Sequence, residues 1–234
     1  APEVDISEVM GKVEDVLDDS VIAPEYVIRD RPGKPRPIVD LSRVNFEQLK
    51  AQFVEGQQRT AAERLRGSIS SKLRQLVRLN RTRMDYLEQF QRMIDEYNAG
   101  SQNIESWFIQ LVAFAGKLQE EEKRHLRQGL TEEEMAVFDL LTRPEIWLTK
   151  QEEQQVKKVA RDLLETLKRE KLVLDWRKRQ QSRAWVRLCI EQILDAGLPP
   201  KYARESYQQK CNVVYQHIFD SYYGQGRSVY AYAA

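Results

Sequence analysis

Ile104-Glu105-Ser106-Trp107-Phe108-Ile109-Gln110-Leu111-Val112-Ala113-Phe114-Ala115-Gly116-Lys117-Leu118 is the stretch that decides the fold. Its apolar residues Ile104, Trp107, Phe108, Leu111, Val112, Phe114, Ala115 and Leu118 recur at intervals of three and four, the period of a helix rather than a strand. Apolar residues around this much of the circumference mark a helix covered from several sides, so the element is expected at the centre of a helical bundle. Glu120, Glu121 and Glu122 at its far end are expected in solvent.

The same period extends outward in both directions. Asn98-Ala99-Gly100 separates the central helix from one striped by Met84, Leu87, Phe90, Ile94 and Tyr97, since Asn and Gly tolerate the left-handed end of a helix. Asn80-Arg81-Thr82 breaks the pattern before it, with Thr82 expected as the cap. Thr60-Ala61-Ala62-Glu63 reads as a capping box opening a long helix to about Leu79, and Phe46, Leu49 and Phe53 line a short one. On the other side, Thr131-Glu132-Glu133-Glu134 opens a short helix to Leu141, which Pro144 ends. Thr149-Lys150-Gln151-Glu152 is a further box, followed by Val156, Val159, Leu163, Leu164 and Leu167. Asp175 is expected to cap a helix through Trp176, Ala184, Leu188, Ile190 and Ile193 that stops at Gly197 and Pro199-Pro200. The last helix carries Tyr207, Cys211, Val214, Tyr215, Ile218 and Phe219. A cap stabilises by about 0.5 to 2 kcal/mol, enough to fix a boundary but not a fold. The stripes fix the fold, and no alternating pattern is long enough for a sheet, so the expected class is all-α, an irregular multi-helix bundle.

Two segments flank the bundle. Val4, Ile6, Val9, Met10, Val13, Val16 and Leu17 give a short leading helix from about Ser7 to Asp18 within residues 1–23. Pro24, Pro32, Pro35 and Pro37 around Gly33 make residues 24–44 a stiff linker or edge hairpin. The helical domain is then expected over 45–224, with a loose tail at 225–234, and the start at Ala1-Pro2-Glu3 reads as a fragment or a processed end.

Composition narrows the function. Lys plus Arg number 37 against 36 Asp plus Glu, so attraction to nucleic acid has to come from local clustering rather than net charge. No apolar run reaches the length of a membrane span and no secretory signal opens the chain, which points to a cytoplasmic protein without a membrane partner. Cys189 and Cys211 form no CxxC pair and are expected as reduced, half-buried residues.

The motifs of catalysis are missing. Gly33-Lys34 has Ile28 where a phosphate loop needs its first glycine, and no Ser or Thr follows the lysine. Asp95-Glu96-Tyr97-Asn98 has the letters of a helicase magnesium box but sits on an amphipathic helix instead of a buried strand. Glu121-Glu122-Lys123 matches only the short element of a metal-dependent nuclease and is also helical. His125 and His217 lack ligands at metal spacing and read as surface or packing residues. No catalytic, metal or cofactor residue is therefore assigned in this chain.

Charge is the sharpest signal. Between Arg64 and Arg83 the chain carries Arg64, Arg66, Lys72, Arg74, Arg78, Arg81 and Arg83 and no acid. At about 100° per residue, Leu65, Ile69, Leu73 and Leu76 fall on one side and Arg74, Arg78 and Arg81 on the other. A second cluster surrounds Arg179, Arg183 and Arg187, one turn apart and facing away from Leu188 and Ile190, with Lys168, Arg169, Lys171, Arg177 and Lys178 nearby. Guanidinium forks suit DNA phosphates or an acidic partner surface equally, and an ordinary solvated face paired with acids elsewhere is the plain alternative. The absence of interleaved exposed aromatics in the second cluster argues against stacking on single strands, and Trp176 and Trp185 are read as core.

Ala62-Glu63-Arg64-Leu65, the run Leu76 to Arg83, Ile94 to Gly100, Gly129 to Glu134, Phe138-Asp139-Leu140-Leu141, and Leu174-Asp175-Trp176-Arg177 followed by Ser182-Arg183-Ala184 occur in an order that resembles the C-terminal region of the R subunits of type I restriction-modification enzymes. The resemblance covers most of the chain after Val39. It implies a parent subunit with a magnesium-dependent nuclease and two ATP-driven motor lobes, so that residues before Pro24 would end the second lobe. It also implies docking onto the methyltransferase (modification) subunit beside the rest of the R subunit, with ATP and Mg held outside this chain. The leading expectation is an assembly module whose arginine faces meet acidic protein or duplex DNA. An autonomous duplex-binding domain is the second reading, and a nuclease domain the third.

Overall fold

The computed structural model describes residues 58–143, 146–224 and 226–231, together with the backbone of two short strands upstream. Strand β1 (Val27–Ile28) pairs antiparallel with β2 (Arg36–Pro37), Val27 opposite Pro37, so of the two forms expected for the Pro-rich stretch the hairpin is present. The expected helix Ser7–Asp18, the short helix of Phe46, Leu49 and Phe53, and the stop at Pro144 lie outside the described residues.

From Gln58 onward helices dominate, as the stripes require. They are α1 (Gln58–Leu79), α2 (Met84–Asn98), α3 (Ile104–Glu122), the single turn α4 (Arg124–Arg127), α5 (Glu132–Thr142), α6 (Lys150–Thr166), α7 (Gln180–Gly197) and α8 (Arg204–Ser221). A small antiparallel pair, β3 (Tyr222–Gly224) with β4 (Arg227–Ser228), follows α8. The span expected as one helical domain contains two compact units, one made of residues up to Gln75 with Glu88–Glu122, the other of Leu76–Leu87 with everything from Lys123.

In the first unit Leu65, Ile69 and Leu73 of α1, Phe90 of α2, and Trp107, Leu111, Phe114 and Leu118 of α3 are buried. Two stacked ring pairs tie α2 to α3: Phe90 with Phe114, centroids 5.6 Å apart, and Tyr97 with Trp107 at 4.9 Å. Gly100 holds the left-handed conformation (φ 74°) that closes α2, as expected. Two expectations for α3 are corrected. Its burial is one-sided, with Ile109 67% exposed, because the stripe at three-and-four spacing is narrower than the count of apolar residues suggested. Its acidic end is not simply solvated: Glu121 is buried, and Glu122 takes the buried ammonium of Lys72.

The second unit has its own extended core. Met135 and Leu141 of α5, Val156, Ala160 and Leu163 of α6, Val186, Ile190 and Leu194 of α7, and Val214 and Ile218 of α8 belong with the fully buried Trp176 to one apolar cluster. Burying each such aliphatic side chain contributes about 1.5 to 3 kcal/mol, which outweighs any single cap. The Thr131–Glu134 and Thr149–Glu152 capping boxes both form. Buried Lys210 donates to the carbonyls of Leu140 (3.1 Å) and Arg143, and the Tyr202 hydroxyl to that of Leu141 (3.2 Å), satisfying the open C-terminal end of α5.

Three other boundaries differ from expectation. Thr60 lies inside α1, which is already helical at Gln58, and Glu63 accepts from Arg66 instead of closing a box. Asn80, not Thr82, caps the turn before α2: its side chain accepts from the Thr82 amide at 3.1 Å. Asp175 sits at φ 54° in a turn ahead of α7, a conformation Asp tolerates better than most residues, and that turn points Trp176 into the core. Residues 226–231 of the supposedly loose tail are also held: Ser228 and Tyr230 are buried, and the Tyr230 hydroxyl donates to the Leu79 carbonyl at 2.5 Å.

Candidate interaction surface

Among the described residues no group of His, Cys, Asp and Glu is arranged to hold a metal ion, and no helix is long and apolar enough to cross a membrane. Asp95 accepts from Gln91 on the exposed side of α2, and Glu122 is engaged by Lys72, so both acidic motifs serve their helices. Cys189 and Cys211 are buried free thiols, not half-buried, and burial raises both above the ordinary thiol range. An open groove of about 480 Å³ lies between α6 and α7, lined by Lys158, Asp162 and Thr166 on one wall and Gln192, Ile193 and Ala196 on the other.

Buried ionic groups build a frame behind this surface. Asp139, 1% exposed, accepts from Asn80 Nδ2 at 2.7 Å, from Thr82 Oγ1 at 3.3 Å and from Arg124. Arg83, fully buried, pairs with Glu132, which also lies 3.3 Å from His125 Nδ1. Neither carboxylate faces an open cleft. They hold the turn between α1 and α2 against α5.

The arginine-rich run from Arg64 to Arg83 is therefore partly consumed. Arg66 pairs with Glu63, Lys72 with Glu122, Arg83 with Glu132, and Arg81 with Asp220 at 2.9 Å. Arg74 is exposed, its guanidinium reaching Ser70 of its own helix at 3.3 Å, and belongs to the first unit. Arg78 is exposed and belongs with Arg81 to the second. The expected ridge of Arg74, Arg78 and Arg81 is not one helical face, because α1 ends at Leu79 and Arg81 lies in the turn beyond Asn80, where it is tied to an acid as the plain alternative has it.

The second cluster is different. Lys168 is engaged by Glu133, Arg169 and Lys171 by Glu170, and Lys178 by Asp175, whereas Arg179 and Arg183 have no acidic partner among the described residues. Arg187 donates to Asn212 Oδ1 at 3.0 Å and lies over the ring of Tyr215, 4.5 Å from its centroid. Arg177 lies over Phe219 at 4.6 Å and Tyr223 at 5.3 Å. Aromatics thus do interleave with this cluster, in space rather than in sequence. Trp176 is core as expected, but Trp185 is 54% and Leu188 50% exposed, one helical turn apart on α7.

His217 occupies the base of α8, buried, with Nε2 2.9 Å from the Tyr230 hydroxyl and Nδ1 3.5 Å from Ser221 Oγ. The tyrosine's one proton goes to the Leu79 carbonyl, so the imidazole carries its own proton on Nε2. Burial, with the nearby Arg81 charge, lowers its pKa from 6.5 to about 4. Above pH 6.5 both folded and unfolded chains hold the ring neutral. Between 6.5 and about 4 the unfolded chain takes up a proton that the folded one refuses, so stability is lost as pH falls through that window, by about 3 kcal/mol in all. Urea midpoints across this range should show the loss in the wild type and a shallower one in His217→Gln, and parallel profiles would refute the assignment.

No curated protein and no solved structure matches the chain. One family does, described as Type I restriction enzyme HindI endonuclease subunit-like, C-terminal, and it covers residues 2–218, nearly the whole sequence. The chain belongs to this family of C-terminal regions of type I restriction enzyme endonuclease subunits.

Proposed function

We propose that this region is an assembly module that seats the endonuclease and translocase parts of its subunit on the methyltransferase core of a type I restriction enzyme. The ATP and magnesium of that machine belong, in this reading, to the rest of the subunit, and this region breaks no bonds. The observation that carries the proposal is the pair of large apolar side chains, Trp185 and Leu188, standing half in solvent on α7. A tryptophan and a leucine exposed one turn apart have the make-up of an interface centre, where large apolar side chains such as Trp supply much of the binding energy.

A pull-down of the 234-residue chain with the methyltransferase core tests it. The wild-type chain should be retained, and Trp185→Ala with Leu188→Ala should weaken retention by roughly 30-fold, the cost of one hot spot of about 2 kcal/mol. Both side chains are exposed, so the melting temperature should barely move. Equal retention of wild type and double variant would remove this face from the assembly.

A further inference from the structure

We infer that the face shared by α7, α8 and the turn before α7 is a contact for the phosphodiester backbone of duplex DNA, indifferent to base sequence. Four guanidiniums form it: Arg177, Arg179, Arg183 and Arg187. Two of them are laid on rings, Arg177 on Phe219 and Tyr223 and Arg187 on Tyr215, and the Tyr215 and Phe219 rings are themselves neighbours at 6.2 Å. The face lies wholly within the second unit.

Stacking decides what such a group can bind. A guanidinium is weakly hydrated on its flat faces and forms hydrogen bonds in its plane. Laid on an aromatic ring, it gains the cation–π attraction and keeps its edge N–H groups for an anion. The ring also holds the side chain in place, so less rotamer entropy is lost when the anion arrives.

Local acids do not claim the charge. Asp175 is taken by Lys178 at 3.1 Å and Asp220 by Arg81 at 2.9 Å. Arg179 and Arg183 have no acid among the described residues, and Glu191, one turn past Arg187, marks the end of the row. This differs from the arginine-rich run Arg64 to Arg83, where Glu63, Glu122, Asp220 and Glu132 each take a cation.

Spacing selects among anions. Arg179, Arg183 and Arg187 succeed one another every about 6 Å along α7, a row about 12 Å long. Duplex DNA offers one negative charge per about 1.7 Å of axis, so the row meets about seven phosphate charges on the two strands together. Single strands would need free ring faces for base stacking, and here guanidiniums lie against them. Arg177 and Arg187, held flat on their rings, present edge N–H groups that suit phosphate oxygens, which carry no base sequence.

The test is fluorescence anisotropy of the 234-residue chain on a labelled duplex of mixed sequence across a salt series. Four phosphate contacts at about 0.9 each give a slope of log affinity on log salt near −3.6, roughly a 150-fold loss between about 50 and 200 mM salt. In R183Q/R187Q the slope should fall to about −1.8, and in R179Q, at an exposed residue whose loss cannot disturb the core, to about −2.7. Arg187→Lys keeps the charge and should keep the slope while weakening binding a few-fold. W185A should leave the slope unchanged, which separates this face from the apolar one. Absence of duplex binding at about 50 mM salt overturns the inference. So do slopes unmoved by R179Q and R183Q/R187Q, tighter binding to single strands, or tighter binding to an acidic polypeptide than to duplex at equal ionic strength.

Discussion

Asp139→Ala is expected to destabilise the second unit by about 3 to 5 kcal/mol, the cost of removing one partner from a buried, hydrogen-bonded ion pair. The carboxylate is 1% exposed and receives Asn80, Thr82 and Arg124 together. Its loss leaves the Arg124 charge without this counter-ion and strips the buried Asn80 amide of its acceptor, a further cost of about 1 to 3 kcal/mol per group wherever water cannot enter. Asn80 is also the cap of the turn before α2, so the damage reaches secondary structure. Asp139→Asn keeps an acceptor for Asn80 and should fall between wild type and alanine. Urea denaturation followed by circular dichroism reads the series, and an alanine variant within 1 kcal/mol of wild type would show that the pair only breaks even against solvent.

Trp176→Ala should cost a similar amount, about 3 to 5 kcal/mol, for a different reason. The indole is fully buried, meets Phe219 edge-on at 5.8 Å, and donates its N–H to the Tyr222 carbonyl at 3.2 Å. Truncation opens a cavity at the centre of the core and releases the start of β3. Repair by neighbours is restricted: Gly224 (φ 93°) passes so close that a Cβ there would stand 2.5 Å from the Val173 carbonyl oxygen and 3.3 Å from the Trp176 ring. The melting temperature should drop by roughly 10 °C. Trp176→Phe, which refills most of the volume but cannot donate, should lose less than half as much. The next residue is Arg177, whose rings Phe219 and Tyr223 flank this site, so the alanine variant should also flatten the salt slope of duplex binding. A stability loss with the slope intact would mean that the arginine row does not depend on the core beneath it.

The fold was legible wherever the deciding interaction is local. The Thr131 and Thr149 boxes close over three residues, and the stripes of α6 and α8 need only their own period. It was misread where a distant residue decides. Asn80 outcompetes Thr82 as a cap because Asp139, 59 residues away, fixes its amide. Glu122 looked solvated because Lys72, 50 positions earlier, is paired with it only by tertiary packing. The arginines divide in the same way: sequence displays the cations but not whether Asp220 or Glu132 will reach them. The rings under Arg177 and Arg187 were hidden for another reason. Tyr215 and Phe219 belong to the apolar stripe of α8, and only the neighbouring α7 turns part of that stripe into a platform.

The hydroxyl of Tyr230 on the carbonyl of Leu79 joins positions 151 residues apart. A ribosome adding about 5 to 20 residues per second needs roughly 8 to 30 s to travel between them. Throughout that interval the Leu79 carbonyl must wait in nascent polypeptide, together with the Asn80 amide whose acceptor on Asp139 emerges sooner. Completion of the second unit therefore waits on the emergence of Tyr230 from the ribosome rather than on the order in which its helices appear.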